Sequence, residues 1–174
     1  MTPLGWGRIG TPLGPMIAVL DPRGAVVRLD FEDDSYREEA ARILSGDADP
    51  EATAHVARLM TQSFRGERRS FDLALAPRGS AFMQRVWRTL GDTPYGANLS
   101  YGELARRMDP PTSARAIGRA NALNPISIII PCHRILAAGG HLTGYSAGLG
   151  RKQALLALEA ERRLPIGRSL VGAS

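Results

Sequence analysis

Between Pro125 and Pro131 the chain runs Ile-Ser-Ile-Ile-Ile, and the next residue, Cys132, is its only cysteine. A short apolar run with turn-forming residues at its ends is expected to be a buried strand, one that Pro131 terminates. The rest of the fold then has to cover that strand and leave Cys132 near a surface at its end. A lone cysteine is by default a small buried hydrophobe. Here His133, Arg134 and nearby loop amides are placed to favour a thiolate, which makes Cys132 a candidate nucleophile. Adjacent residues of an extended segment point to opposite sides, so Cys132 and His133 need a bend or a bridging water to cooperate. This spacing suits a proton relay better than the direct thiolate–imidazolium pair of a cysteine protease.

Upstream of residue 76 the pattern is that of a small α/β domain, assigned to residues 1–75. "PMIAVL" and "AVVRLDF" read as strands joined by a type I turn at Asp21-Pro22-Arg23-Gly24. "SYREEAARILSG" opens with a capping box, Ser35 and Glu38, and closes at Gly46. A second helix has Asp49 as its cap, Pro50 at its first position and Gly66 at its end, and carries His55 as a surface or interface residue. "FDLAL" alternates like a half-buried strand, and residues 76–80, "APRGS", read as a linker.

Residues 81–174 change character to mostly helices. Ser80 caps a helix with Phe82, Val86, Trp87 and Leu90 at core spacing, and Ser100 with Glu103 forms a further capping box. "DPP" stops that helix, and Thr112 or Ser113 starts "SARAIGRANAL", a pairing compatible with a helix-turn-helix. Ala116, Ile117, Ala120 and Leu123 make an apolar stripe on the second helix, Arg115 and Arg119 share another face, and Gly118 suggests close packing or close approach to a ligand. A glycine-rich loop, "AAGGHLTGYSAGLG", precedes the last helix, "RKQALLALEAERRL", and the tail after Pro165 is expected to be irregular.

Charge separates the halves as well. Residues 79–174 carry 12 Lys+Arg against 5 Asp+Glu, whereas residues 1–78 carry 10 against 12. A basic half suggests a polyanion partner, nucleic acid first, although 21 arginines among 22 basic residues also fit an Arg-rich genome. The N-terminus shows no cationic start followed by an apolar stretch, so no secretory signal is expected. No run approaches the ~18 apolar residues of a membrane span. A single free thiol fits a reducing cytoplasm. Cys132, His55, His133 and His141 match no zinc spacing, so no metal is expected.

The segments "NPISIIIPCHRI" and "LTGYSAGLGRKQALLALE" resemble the methylated-DNA–protein-cysteine methyltransferases, or O6-alkylguanine-DNA alkyltransferases. "SAFMQRVWRTLGDTPYGANLSYGELARRM" and "SARAIGRANALNP" extend the likeness over most of residues 80–160. The resemblance implies a ribonuclease H-like N-terminal domain with a small antiparallel sheet, and a winged-helix-like C-terminal domain. It implies irreversible, stoichiometric transfer of an alkyl group from a flipped O6-alkylguanine to Cys132, with O4-alkylthymine a second candidate substrate and no cofactor. His133 would deprotonate Cys132 through a water, with Glu159 orienting it; the bland alternative for Glu159 is an exposed partner of Arg163. Asn124 would brace the turn, where it otherwise reads as a helix C-cap. Tyr101 would donate to the leaving guanine, where it otherwise reads as a first-turn packing aromatic. Tyr145 and Ser146 would wall the base pocket, with the Cys132 and Ile135 carbonyls accepting from the exocyclic amine. Arg115 would enter the base stack, and Ser113, Ala114 and Arg119 would join it on the minor groove of double-stranded DNA. The implied protein is a monomer, open to cooperative binding along DNA.

Ser127 stands where many relatives have proline, Gly150 replaces a larger residue, and Ala122 and Leu123 replace polar or small ones. Two other readings compete. An alkyltransferase-like lesion-binding module transfers nothing, but usually has tryptophan at the cysteine position. A cysteine hydrolase or acyltransferase is disfavoured by the adjacent Cys-His and the helical pair.

Overall fold

The computed structural model describes residues 5–33, 44 and 46–162. The helix read from the Ser35–Glu38 capping box and the tail after Pro165 lie outside the described residues. Three strands, β1 (Gly5–Ile9), β2 (Met16–Leu20) and β3 (Val26–Phe31), form an antiparallel sheet in that order. The Asp21–Gly24 turn between β2 and β3 forms as expected: Gly24 N–H donates to Asp21 O at 2.9 Å with Gly24 at φ +81°. Helix α1 (Pro50–Phe64) begins at Asp49, whose carboxylate accepts from Ala52 N–H at 3.0 Å. Its buried Val56 and Met60 pack with Ile9, Met16, Ala18 and Leu20 of the sheet, each such side chain contributing about 1.5–3 kcal/mol of burial.

Strand β1 escaped sequence reading because its glycines obscure the strand pattern. The helix above it explains them: a Cβ on Gly7 would stand 2.2 Å from Thr53 Oγ1, and one on Gly5 2.8 Å from the Ala52 Cβ. The opposite face of β2 presents Ile17 and Val19, covered by Trp6, Val27 and Leu44.

After residues 76–80 come α2 (Ala81–Gly91), the two-residue strand β4 (Leu99–Ser100), α3 (Tyr101–Arg107) and α4 (Ala114–Ala122). Ser80, Ser100 and Ser113 cap the three helices through their hydroxyls, and Glu103 completes the capping box at Ser100. Helices α2, α3 and α4 pack on one another, pinned by a 2.9 Å hydrogen bond from Trp87 Nε1 to Ala120 O. β4 pairs in parallel with β5 (Ile135–Leu136), and α5 (Leu149–Glu161) closes the described chain. The α4 stripe is narrower than expected: Ile117 and Ala120 are buried with Asn121, while Leu123 is 50% exposed.

Two strand expectations need correction. "FDLAL" contributes only a single bridge, Leu75 to Val26. The Ile126–Ile130 run is a turn, not a strand: Ile128 has φ +72°, and Ile130 N–H donates to Ile126 O at 3.1 Å. Asn124 closes this turn from inside, accepting from Ile126 N–H at 3.0 Å and donating to Ile130 O at 2.9 Å. The apolar character was read correctly as burial. The conformation follows from the asparagine and from a docking contact with β3, where Leu29 N–H donates to Pro125 O and Ser127 N–H to Leu29 O.

Candidate alkyl-acceptor site

Residues Cys132–Arg134 form a single 3-10 turn. This supplies the bend that an extended Cys-His pair lacks. Contrary to the expectation of a thiol near a surface, Cys132 is 2% exposed. Burial pushes the thiol up to about 11; a hydrogen bond from the Asn124 side chain opposes this, Asp30 adds to it and the Lys152 ammonium opposes it. Arg134 does not serve the thiolate directly, since its guanidinium is committed elsewhere.

That commitment is to Glu159. Arg134 Nη2 donates to Glu159 Oε1 at 2.8 Å and Nε donates to Oε2 at 2.9 Å, while Nη1 reaches Thr93 O at 2.6 Å. His133 Nε2 meets the same Oε1 at 2.8 Å. Burial favours a neutral Glu159, but hydrogen bonds from His133 and Arg134 hold its carboxyl at about 2. Burial lowers His133 against the pull of that carboxylate. The charges settle as one ion pair, Arg134 with Glu159, beside a neutral imidazole. With Nε2 donating to the carboxylate, Nδ1 carries the lone pair, and Nδ1 has no hydrogen-bond partner among the described residues. A neutral base with a fixed tautomer therefore sits one residue from the thiol. Glu159 is buried among these groups, not an exposed surface acid.

The remaining expected residues fall around this centre. Asn124 is buried and spans the turn, one residue past the C-cap of α4. Tyr101, at the first position of α3, directs its hydroxyl to Thr143 O at 3.4 Å, and its ring lies 3.8 Å from where a Gly118 Cβ would be. Gly118 thus meets an ordinary contact, not forced close packing. Tyr145 is buried and Ser146 exposed. Ser146 and Asn124 share a cleft of about 520 Å³ with Asp30, Arg78, Met83 and Leu123. Ser113, Ala114, Arg115 and Arg119 are all exposed on α4 or its cap.

Both carbonyls expected to meet a base already have a protein donor. Cys132 O accepts from Asn121 Nδ2 at 3.3 Å, and Ile135 O accepts from Lys152 Nζ. Each oxygen retains a second lone pair for a ligand. Sequence reading missed Lys152, which is fully buried and also donates to Thr143 O at 2.8 Å, tying the glycine-rich loop to the strand after the cysteine. Its signal was present: it is the one lysine in a chain whose other basic residues are all arginine. Among the described residues, no group of three or more His, Cys, Asp or Glu side chains is arranged to hold a metal ion.

Comparison with known proteins agrees with this architecture. Residues 81–161 match the family model described as the 6-O-methylguanine DNA methyltransferase DNA-binding domain. A methylated-DNA–protein-cysteine methyltransferase of Mycobacterium bovis is 42% identical over 155 residues, covering 88% of this chain and 91% of the relative. The counterpart from Mycolicibacterium paratuberculosis is 52% identical over 110 residues, covering 63% of this chain and 67% of the relative. The crystal structure of the Mycobacterium tuberculosis O6-methylguanine methyltransferase superposes with a TM-score of 0.82 at 39% identity, covering 91% of this chain and 93% of that one. A second structure, the Mycobacterium tuberculosis OGT in complex with DNA, gives 0.81 at 39% identity, covering 90% of this chain and 93% of that one. With 42% identity sustained over 88% of its length and a fold shared over 91% of it, this chain belongs to the methylated-DNA–protein-cysteine methyltransferase family.

Proposed function

We propose that this protein repairs O6-alkylguanine in double-stranded DNA by moving the alkyl group permanently to Cys132. The observation that carries this reading is the buried Glu159–His133 pair, which leaves Nδ1 as the free basic nitrogen beside a turn-borne thiol. A thiol pushed to about 11 is almost wholly protonated at neutral pH, so it needs a base at the moment of attack. His133 takes the proton through a bridging water, and the ionised Glu159 stabilises the imidazolium that forms. The sulfur attacks the alkyl carbon in line. The S–C bond forms as the C–O6 bond breaks, and the electron pair stays on the guanine. Tyr101 donates a hydrogen bond or proton to the leaving ring. A thioether is a poor leaving group, so each molecule acts once, without a cofactor. O4-alkylthymine is a second candidate substrate.

In this reading residues 1–75 are a ribonuclease H-like domain, residues 76–80 a linker and residues 81–174 a winged-helix-like domain. Helices α3 and α4 act as a helix-turn-helix whose second helix enters the minor groove, where a degenerate code suits a protein that must find lesions in any sequence. Arg115 fills the place of the extruded nucleotide, offsetting part of the few kcal/mol that flipping costs; Ser113, Ala114 and Arg119 flank it. Tyr145 and Ser146 wall the base pocket. The protein works as a monomer in the cytoplasm, where a sole thiol stays reduced. Among the described residues no helix is long and apolar enough to cross a membrane.

The test is the intact mass after incubation with a duplex holding one O6-methylguanine. A gain of one methyl group, mapped to Cys132 and absent in Cys132→Ala, is expected. A bound lesion with no mass gain would favour a binding module instead.

A further inference from the structure

Asp30 presents a puzzle. It lies on β3, far from Cys132 in sequence, yet it is one of the groups acting on the buried thiol. Its Oδ1 accepts from Ser127 Oγ at 2.9 Å and from Phe31 N–H at 2.8 Å. Ser127 is fully buried, at 0% exposure. Asp30 is half-buried, and a carboxylate drawn partly out of water costs free energy unless its hydrogen bonds offset it. The carboxylate at this position therefore calls for a reason beyond packing.

The turn it touches supplies one. The turn is bound to β3 three times: Ser127 donates through its hydroxyl to Asp30 and through its N–H to Leu29 O at 2.8 Å, and Pro125 O accepts from Leu29 N–H at 2.9 Å. The next residue, Ile128, has φ +72°, a left-handed conformation that is a genuine outlier for a β-branched side chain. Such a conformation persists only where its surroundings over-determine it. Asn124 holds the turn from the helix side and Asp30 from the sheet side. Beyond the turn, Cys132 N–H donates to Ile130 O at 2.8 Å, so the thiol's position follows from the turn's.

We propose that Asp30 is a positioning residue for alkyl transfer: through Ser127 it fixes the 125–130 turn, and thereby makes the reactivity of Cys132 depend on the N-terminal sheet. The inference rests on Cys132 being the alkyl acceptor. Asp30 acts through Ser127 and does not touch the substrate. The charged and titratable groups that act on it or feel it are Arg28 and Asp33, close by in the chain, and Tyr145 and Cys132 from distant segments. Cys132 in turn feels Lys152 and Asn124. Asp30's negative charge raises the thiol, so its loss shifts ionisation of Cys132 to lower pH.

The test compares Asp30→Ala, Ser127→Ala, their double variant and Asp30→Asn for methyl transfer under single-turnover conditions. Affinity for the same duplex is measured alongside, and Cys132 is titrated by its labelled Cβ chemical shift. Either alanine variant is expected to slow transfer on the order of tenfold, the effect of one lost hydrogen bond. The double variant is expected to be no slower than the slower single, because the pair acts as one unit. Asp30→Asn keeps an acceptor for Ser127, so it is expected to restore the rate while lowering the pH at which Cys132 ionises. Duplex affinity stays unchanged throughout. If Asp30→Ala does not fold, Ser127→Ala and Asp30→Asn make the same comparison. Wild-type rates in the alanine variants, multiplying losses, or an asparagine variant as slow as alanine would each overturn the proposal. A wild-type chain that takes up no methyl group would instead overturn the acceptor assignment on which it rests.

Discussion

An imidazole can accept a thiol proton at neutral pH only if it is itself neutral and if its other nitrogen is occupied. Glu159 meets the second condition at 2.8 Å, and Arg134 allows Glu159 to do so as a buried anion. Replacing Glu159 by glutamine preserves an acceptor for His133 but leaves the Arg134 guanidinium buried without its counter-charge. That is expected to cost about 3–5 kcal/mol in chemical denaturation and to slow transfer; unchanged stability would contradict the ion-pair account. The pH dependence has a definite sign. The Glu159 carboxyl lies at about 2 when folded, below its ordinary 4.5. Its contribution, on the order of 3 kcal/mol, is therefore complete above the higher value and lost as pH falls toward the lower one. Denaturation curves taken across that window are expected to lose their acid slope in Glu159→Gln.

At the scale of elements, the contact between β1 and α1 rests on absent side chains. Gly7→Ala places a methyl group against Thr53, itself only 1% exposed, and is expected to destabilise the chain by about 1–3 kcal/mol. A silent substitution would show that the helix can move off the strand. Helix α4 makes a separate prediction through its exposed face. Arg115→Ala is expected to weaken repair of the lesion in duplex DNA more than transfer from the free modified base; equal losses on both substrates would contradict a role in flipping. Elements determined locally were legible before the structure. Asp49, Ser80, Ser100 and Ser113 announce their helices because a capping hydroxyl or carboxylate bonds to an amide two or three residues away. Strand β1 and the Ile126–Ile130 turn were not legible as such, since one is shaped by a helix some 45 residues later and the other by β3, about 100 residues earlier.

Across the whole molecule the same division holds for the site. Cys132 and His133 stand out by their chemistry, whereas Glu159 and Asn124 are singled out only by the family likeness; the fold places the four close to one another. Arg134 was identified as a cation beside the thiol, but its real partner, Glu159, lies 25 residues away and only the closed fold shows it. The signal of Lys152 is compositional, one lysine among arginines, and nothing in its local pattern distinguishes a buried lysine from a solvated one. The molecule that results holds its thiol buried, directly after a turn clamped from both sides. Its design suits an acceptor used once, with no need to release a product from the sulfur. The most direct test supplies lesion-bearing duplex in large excess and counts repaired guanines per protein molecule over time. One repair per chain, followed by a flat line and a capped Cys132, is the predicted result. Continued repair beyond one equivalent, with Cys132 unmodified, would contradict the account.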